Sequence, residues 1–503
     1  MPSSRGRGHT SAGFALIALL ALIAAGALFL LLEGLSPEAI DARRQRQNEE
    51  VLAQAREALI GYALKYRDVE GPNTVYGYLP LPDLGTSRNN NVSCAAEGCD
   101  AANFAGNMAN VTVIGRFPWR MLGTGPLRDS HGECLWLAVS GSHQRVHQAS
   151  PMNWDTLGHI DVVAANGAAA LASIIATPHE RPVAVIFAAG PPLPGQNRGA
   201  SANDDVTQCG GNYDAKNYLD PGMAGALAGV TNYFAGSTNQ ASGDTGAADK
   251  PLSPQGVVQR ADDGTLWARS CPAGVACTPA ANDSGLRVTA DSLFDALRKS
   301  SNFRIDINSM LDRMVGCLRD QVAASAGFSL TPGRIPADAC YDDNQAPRQY
   351  FTHWRDLVFA GTGGFTVNGV ACPGVVVFAG QRDTAQSRAT AAERNDFSKY
   401  LEGVNLAGIN AGGTSFAGDE IFTTIESGQA RQQDIVRCVP GTPSMETVQS
   451  PTLGSLGFGQ LAAYDLGTRV LTLGRAGVTT NDGAPAGALF GCAWMPEANS
   501  QGK

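Results

Sequence analysis

The sequence predicts an α+β fold. A long N-terminal helix lies on a small antiparallel sheet, and the same helix-plus-sheet plan recurs further along the chain. Three observations predict it. An uncharged, mostly aliphatic run from Phe14 to Leu32 passes into a stretch with apolar residues at helical spacing. Two continuous apolar runs, VAVIFAAG from Val183 and VVVFAG from Val375, sit in Gly-rich surroundings and read as strands covered on both faces. An ordered series of matches then follows each run, which marks an internal repeat.

The N-terminal run comes first. A helix needs about 20 apolar residues to cross a bilayer, and Phe14–Leu32 approaches that length. Arg5 and Arg7 precede it with no nearby acid, so the leader is expected to stay cytoplasmic and the remainder to be exported. A cleavable secretory signal is the competing reading. Its apolar core is about 7–15 residues and ends at an A-x-A-like site, whereas this run continues into GLSPEAIDARRQRQNEEVLAQAREALIGYALKY. A retained anchor fits better. From Ile40 to Tyr66, apolar residues at Val51, Leu52, Ala55, Leu59, Ile60, Ala63 and Leu64 form one helical face, and Arg43, Arg44, Arg46, Glu49, Glu50 and Arg56 cover the rest. Pro37, after Ser36, can start a new helix or kink a continuous one. Gly71-Pro72 stops it.

A basic leader, Gly13, Phe14, an apolar helix and an amphipathic stalk together resemble the N-terminus of type IV prepilins, a family that includes the pseudopilins of type II secretion. The resemblance covers residues 7–66. It implies cleavage after Gly13 by prepilin peptidase, methylation of Phe14 and a pilin-like fold. Most members carry Glu at the fifth mature position, where it pairs with a neighbouring subunit's N-terminal amine; this chain has Ala18 there. A carboxylate in lipid is costly and kept for a partner, so its absence resembles the tip-type minor pseudopilins. The function implied is a non-enzymatic minor pilin or pseudopilin that primes or caps a type IV pilus-like or type II secretion filament. Its implied place is the bacterial inner membrane, single-pass with a periplasmic C-terminal region, or the filament tip. The implied partners are other pilin subunits, prepilin peptidase, the inner-membrane assembly platform and membrane lipid. The alternative is a signal-anchored periplasmic binding or scaffold protein outside any filament.

The repeat organises the remainder. Phe187 matches Phe378, Gln196 matches Gln386, Arg198 matches Arg388, and Tyr218-Leu219-Asp220 matches Tyr400-Leu401-Glu402. Upstream, LWLAVSG from Leu135 parallels LVFAGTG from Leu357, and Tyr78–Asp83 parallels Arg334–Ala339. The expected organisation is a leader (1–13), a transmembrane helix (14–35), a stalk (36–71), a first module (72–235), a flexible Gly/Ser/Asp-rich connection (236–287), a second module (288–440) and a β-rich tail (441–503). Within the second module, Val288–Phe303 reads as an amphipathic helix capped by Thr289 or Asp291.

Composition narrows the chemistry. A net charge of −9 and a pI near 5.3 argue against nucleic-acid binding, which requires a basic face. Eleven cysteines point to disulfides in an oxidising compartment. Cys94 with Cys99 and Cys271 with Cys277 are natural short loops. The pairing of Cys134, Cys209, Cys317, Cys340, Cys372, Cys438 and Cys492 stays open, with one left over. No C-x-x-C, H-E-x-x-H, G-x-S-x-G or phosphate-loop motif is present, so no catalysis is expected. Asp204, Asp205, Asp214 and Asp220 form a weak calcium candidate, with solvated loop acids the simpler account. His143 and His147 are spaced to share a metal but lie in a loop-like stretch without an accompanying Glu, so they read as surface histidines. Gln196-x-Arg198 and Gln386-x-Arg388 read as Arg forks bonded to loop carbonyls or a nearby acid.

Overall fold

Ser36 starts the main N-terminal helix. Its Oγ accepts the Ala39 N–H at 3.2 Å, and Pro37 takes the first helical position, where a missing N–H costs nothing. The computed structural model describes residues 16–26 and 36–69, most of 75–219 and 283–441, and short strands at 256–258, 461–465, 470–473 and 479–481. Helix α1 covers residues 16–26 and α2 runs Pro37–Val69. The two halves of α2 differ. From Glu38 to Glu50 nearly every residue is exposed, whereas Leu52, Ala55, Leu59, Ile60, Tyr62, Ala63 and Tyr66 are buried on one face.

Two expectations are corrected here. Among the described residues there is no long apolar N-terminal helix: α1, over residues 16–26, rises only about 16 Å at roughly 1.5 Å per residue, about half of a hydrocarbon core of ~30 Å. The next helix cannot extend it, because its opening turns carry Glu38, Asp41, Arg43 and Arg44. Among the described residues no helix is long and apolar enough to cross a membrane, which overturns the single-pass inner-membrane assignment. The sheets are also larger than the small pilin-like sheet expected.

The first lobe holds β1 (Val113–Arg116), β2 (Trp136–Val139), a peripheral pair β3 (Asp161–Asn166) and β4 (Ala170–Ser173), β5 (Pro182–Ala188), β6 (Gly256–Val258) and β7 (Ser284–Thr289). Its antiparallel sheet has the order β1-β2-β5-β7, and β6 joins β3 in a separate small sheet. Strand β5 is buried along its whole length, because α2 lies on one face and a cluster around Trp136, Phe187 and Tyr218 covers the other. This explains its unbroken apolar run.

Helices α3 (Ala290–Lys299) and α4 (Ser301–Ala324) follow. Thr289 caps α3 in a box with Ser292. The second lobe adds β8 (Gly333–Arg334), α5 (Tyr350–Trp354), β9 (Val358–Val367), β10 (Val370–Phe378), α6 (Ala391–Asn395), α7 (Gly403–Asn410), β11 (Ser415–Phe416) and β12 (Ile435–Val439). Its five-stranded sheet runs β11-β9-β10-β12, with β8 also paired to β9, and α4 packs on β10 and β12. Strands β13 (Leu461–Asp465), β14 (Val470–Leu473) and β15 (Thr479–Asn481) form a fourth sheet.

Disulfides join Cys94–Cys99, Cys134–Cys209, Cys317–Cys340 and Cys372–Cys438, as suits an oxidising environment. Cys271, Cys277 and Cys492 lie outside the described residues.

The lobes share one apolar core. The segment after β2 carries Trp154 into the second lobe, where it meets Trp354 at 4.5 Å, Phe378 at 5.6 Å, Phe422 at 6.1 Å and Phe294 at 6.5 Å between ring centroids. The Met152 N–H donates to His353 Nδ1 and the Asn153 amide to the His353 carbonyl, both at 2.8 Å. Trp154→Ala removes a buried indole from a packed site and is expected to destabilise by about 3–5 kcal/mol. In urea titrations the transitions of both lobes should shift together; a loss below about 1 kcal/mol would show that Trp154 does not join them.

Candidate functional site

The exposed N-terminal helices form the candidate interaction surface. On α1, Leu16, Ile17, Leu19, Leu20, Leu22 and Ile23 are each between 55% and 71% exposed. Contiguous exposed aliphatic side chains of this kind mark a surface that another molecule covers. The first half of α2 is a charged rod, with an Arg44–Asp41 pair at 3.7 Å and a Gln45–Glu49 hydrogen bond at 3.2 Å. The rod meets the head at Asn48, whose Oδ1 accepts the Ser130 N–H at 2.8 Å. Further along, a groove of about 410 Å³ lies between Ala58, Gly61, Tyr62 and Lys65 of α2 and the Met121–Thr124 turn.

Each lobe also carries a buried arginine fork. Arg198 donates from Nε to the Asn217 carbonyl (2.9 Å), from Nη1 to the Gly190 carbonyl (2.7 Å) and from Nη2 to Gln196 Oε1 (2.9 Å), and lies 4.9 Å over the Tyr218 ring. Arg388 repeats the pattern. It donates to the Lys399 carbonyl (2.6 Å), the Gly380 carbonyl (3.1 Å) and Gln386 Oε1 (3.2 Å), 4.4 Å over the Tyr400 ring. A 3-10 turn precedes each tyrosine, at Ala215–Asn217 and Phe397–Lys399. A second arginine lies on each ring, Arg116 at 5.1 Å and Arg334 at 4.7 Å.

This equivalence fixes the register of the repeat. Each fork bonds the carbonyl eight residues upstream, Gly190 or Gly380, so Phe187 corresponds to Val377 and not to Phe378. The strand pairs agree: Trp136 faces Phe187, and Phe359 faces Val377. Phe187 packs with Trp136 and Tyr218, whereas Phe378 points the other way, to Trp154 and Trp354. A slip of one residue reverses the face. Likewise Arg334 corresponds to Arg116, each paired across from an aromatic of the next strand.

The forks differ in their acids. Arg198 meets Glu133 at 3.3 Å, and that carboxylate is 26% exposed. Arg388 is fully buried and meets Asp155 at 2.9 Å; Asp155 also holds Arg382 at 3.4 Å, and Arg382 reaches Asp291 at 2.5 Å. His179 Nε2 accepts the Arg388 N–H at 3.0 Å. Burial, helped by Arg382, pushes the His179 imidazole down to about 4, and burial pushes His353 down to about 4. Both rings therefore stay neutral at pH 7 and serve as acceptors across the joint between the lobes.

The remaining predicted residues fall as follows. Gly13 and Phe14 lie outside the described residues, as do Asp204, Asp205, Asp220 and His147; Ala18 is an exposed residue of α1. Asp214 belongs to the turn before Tyr218: its N–H donates to Asn212 Oδ1 at 3.1 Å and its carbonyl accepts the Asn217 N–H at 3.0 Å. Among the described residues no group of three or more His, Cys, Asp or Glu could hold a metal. His143 is not a surface histidine. It is buried, with Nδ1 2.8 Å from Ser142 Oγ, and burial together with His159 pushes it down to about 3.

The Cys94–Cys99 loop presents Glu97, which accepts the N–H groups of Thr207, Gln208 and Cys209 at 2.7–2.8 Å and so ties two disulfide loops together. Sequence reasoning missed Glu97, Asp155, Arg382, Asp434 and Trp154. Only Glu97, framed by two close cysteines, had a local signal.

No protein-family model, no curated protein and no solved structure matches this chain.

The two forks give a direct comparison. Arg388→Ala leaves Asp155 buried without that partner and should cost about 3–5 kcal/mol. Arg198→Ala should cost clearly less, because water reaches Glu133. Arg388→Lys should not restore stability, since an ammonium cannot span three acceptors in a plane. Denaturant titration of the three variants checks this, and equal losses for Arg198→Ala and Arg388→Ala would contradict it.

Proposed function

We propose that this chain is a non-enzymatic minor pilin-like subunit that primes or caps a filament, with α1 and the first half of α2 packing against helices of partner subunits. The observation that carries the reading is the uncovered apolar surface of α1, continuous in sequence with a helix whose second half is locked into the head. The two disulfide-braced lobes act as a rigid contact body. Ala18 places no carboxylate at the position where most pilins carry one, which suits a subunit at a filament end.

A second reading, an exported binding or scaffold protein outside any filament, is favoured by the groove between α2 and Met121–Thr124. N-terminal sequencing and intact mass, with and without an active prepilin peptidase, separate the two. The filament reading expects a peptidase-dependent start at methylated Phe14. A start at Met1 or Pro2 in both strains would remove it and leave the binding protein.

A further inference from the structure

The second lobe contains a pair of acids that the interaction surface does not use. Asp434, immediately before β12, is 1% exposed. Its Oδ2 accepts the Asn405 amide at 2.9 Å and the Glu402 N–H at 3.4 Å, and its buried Oδ1 has no hydrogen-bond partner among the described residues. Glu402 stands at the residue before α7 without a side-chain bond to that helix, and its Oε1 accepts the Gln386 amide at 3.1 Å. Asn405 in turn holds the next segment, donating to the Ala417 carbonyl and accepting the Ala417 N–H, both at 2.9 Å. The chain passes so close at Gly418 that an added Cβ would lie 2.3 Å from the Asp434 carbonyl oxygen. Asp434 is thus the inner end of a chain of contacts running through α7 to β11 at the sheet edge.

We propose that Asp434 carries a proton at neutral pH and donates it in a hydrogen bond to the Glu402 carboxylate, forming a proton-dependent latch that holds residues 403–419 on the second lobe.

An isolated buried carboxylate is unfavourable, and two beside each other more so. The groups facing Asp434 are Glu402 before α7, the neutral Asn405 amide on α7, and Arg388 from the loop after β10. Arg388 is committed to Asp155 and to the Gly380 and Lys399 carbonyls, so it offsets the acid pair only in part. Asp419 pairs with Ile435 through its main chain and is exposed. Burial first, and Glu402 second, push the Asp434 carboxyl up to about 8.

The sign follows. In the open state Asp434 ionises near the ordinary carboxylate value of about 3.9, and in the closed state only near 8. Closure therefore binds a proton. It is strongest at low pH and is lost as pH rises through this window.

Hydrogen exchange of the intact protein tests the latch. After correction for intrinsic exchange, the opening equilibrium of residues 403–419 should rise about tenfold per pH unit between about 5 and 8 and then level off. Strand β10 should show no such slope. Asp434→Asn should abolish the pH dependence in 403–419. Glu402→Gln removes a like charge and should move the levelling-off to lower pH. A flat wild-type profile, or an Asp434→Asn profile that matches wild type, would overturn the proposal. Should Asp434→Asn fail to fold, the wild-type slope and the Glu402→Gln shift decide.

Discussion

The insertion of Trp154 from the first lobe into the aromatic core of the second is the contact on which the remaining architecture depends. Around it, hydrogen bonds and ion pairs join the two lobes. The Met152 N–H needs His353 Nδ1, the Arg388 N–H needs His179 Nε2, and Asp155 needs both Arg382 and Arg388. The main-chain pairs and Arg388 are buried and Asp155 and Arg382 nearly so, so separating the lobes would strand polar groups that now have partners. The lobes therefore behave as one body. Disulfides within each lobe brace the periphery, and among the described residues none crosses the joint.

That rigidity bears on function. A head locked in this way offers a fixed surface, and the element that projects from it is α2. The second half of α2 is part of the core and its first half stands outside, with the apolar α1 ahead of it. The conspicuous buried chemistry is committed to structure. The guanidinium of each fork binds main-chain carbonyls, and His353 and His179 accept main-chain N–H groups. Assembly through helices asks for no reactive group, only for a helix that presents an uncovered face on a body that does not deform.

What the sequence made legible was local in origin. The apolar spacing from Val51 to Leu64 identified the buried face of α2, and the unbroken runs at Val183 and Val375 identified strands covered on both sides. Gln196-x-Arg198 and Gln386-x-Arg388 were readable as forks because the same residues recur at the same spacing. The match of Phe187 with Phe378 failed because identity of residue type ignores the alternation of strand faces; the Ala-Gly pairs ending FAAG and FAG carry the true register. Hydropathy measured the length of the run from Phe14, of which the described residues place 16–26 in α1. His143 resembled a loop histidine because its burial depends on chain that returns from Leu157 and His159. Trp154, Asp155 and Asp434 have no local pattern, since each acts on residues far away in sequence. The long-range disulfides were illegible for the same reason.

In the proposed assembly, α2 outside the head faces the partner. Photo-crosslinking in the native host tests it most directly, with the probe placed in the full-length chain at Arg43 or Gln47 on exposed α2, or at Val370 on the head. The account predicts discrete crosslinks to a partner subunit from Arg43 and Gln47 and none from Val370. Crosslinks from Val370 alone, or from no position, would contradict it.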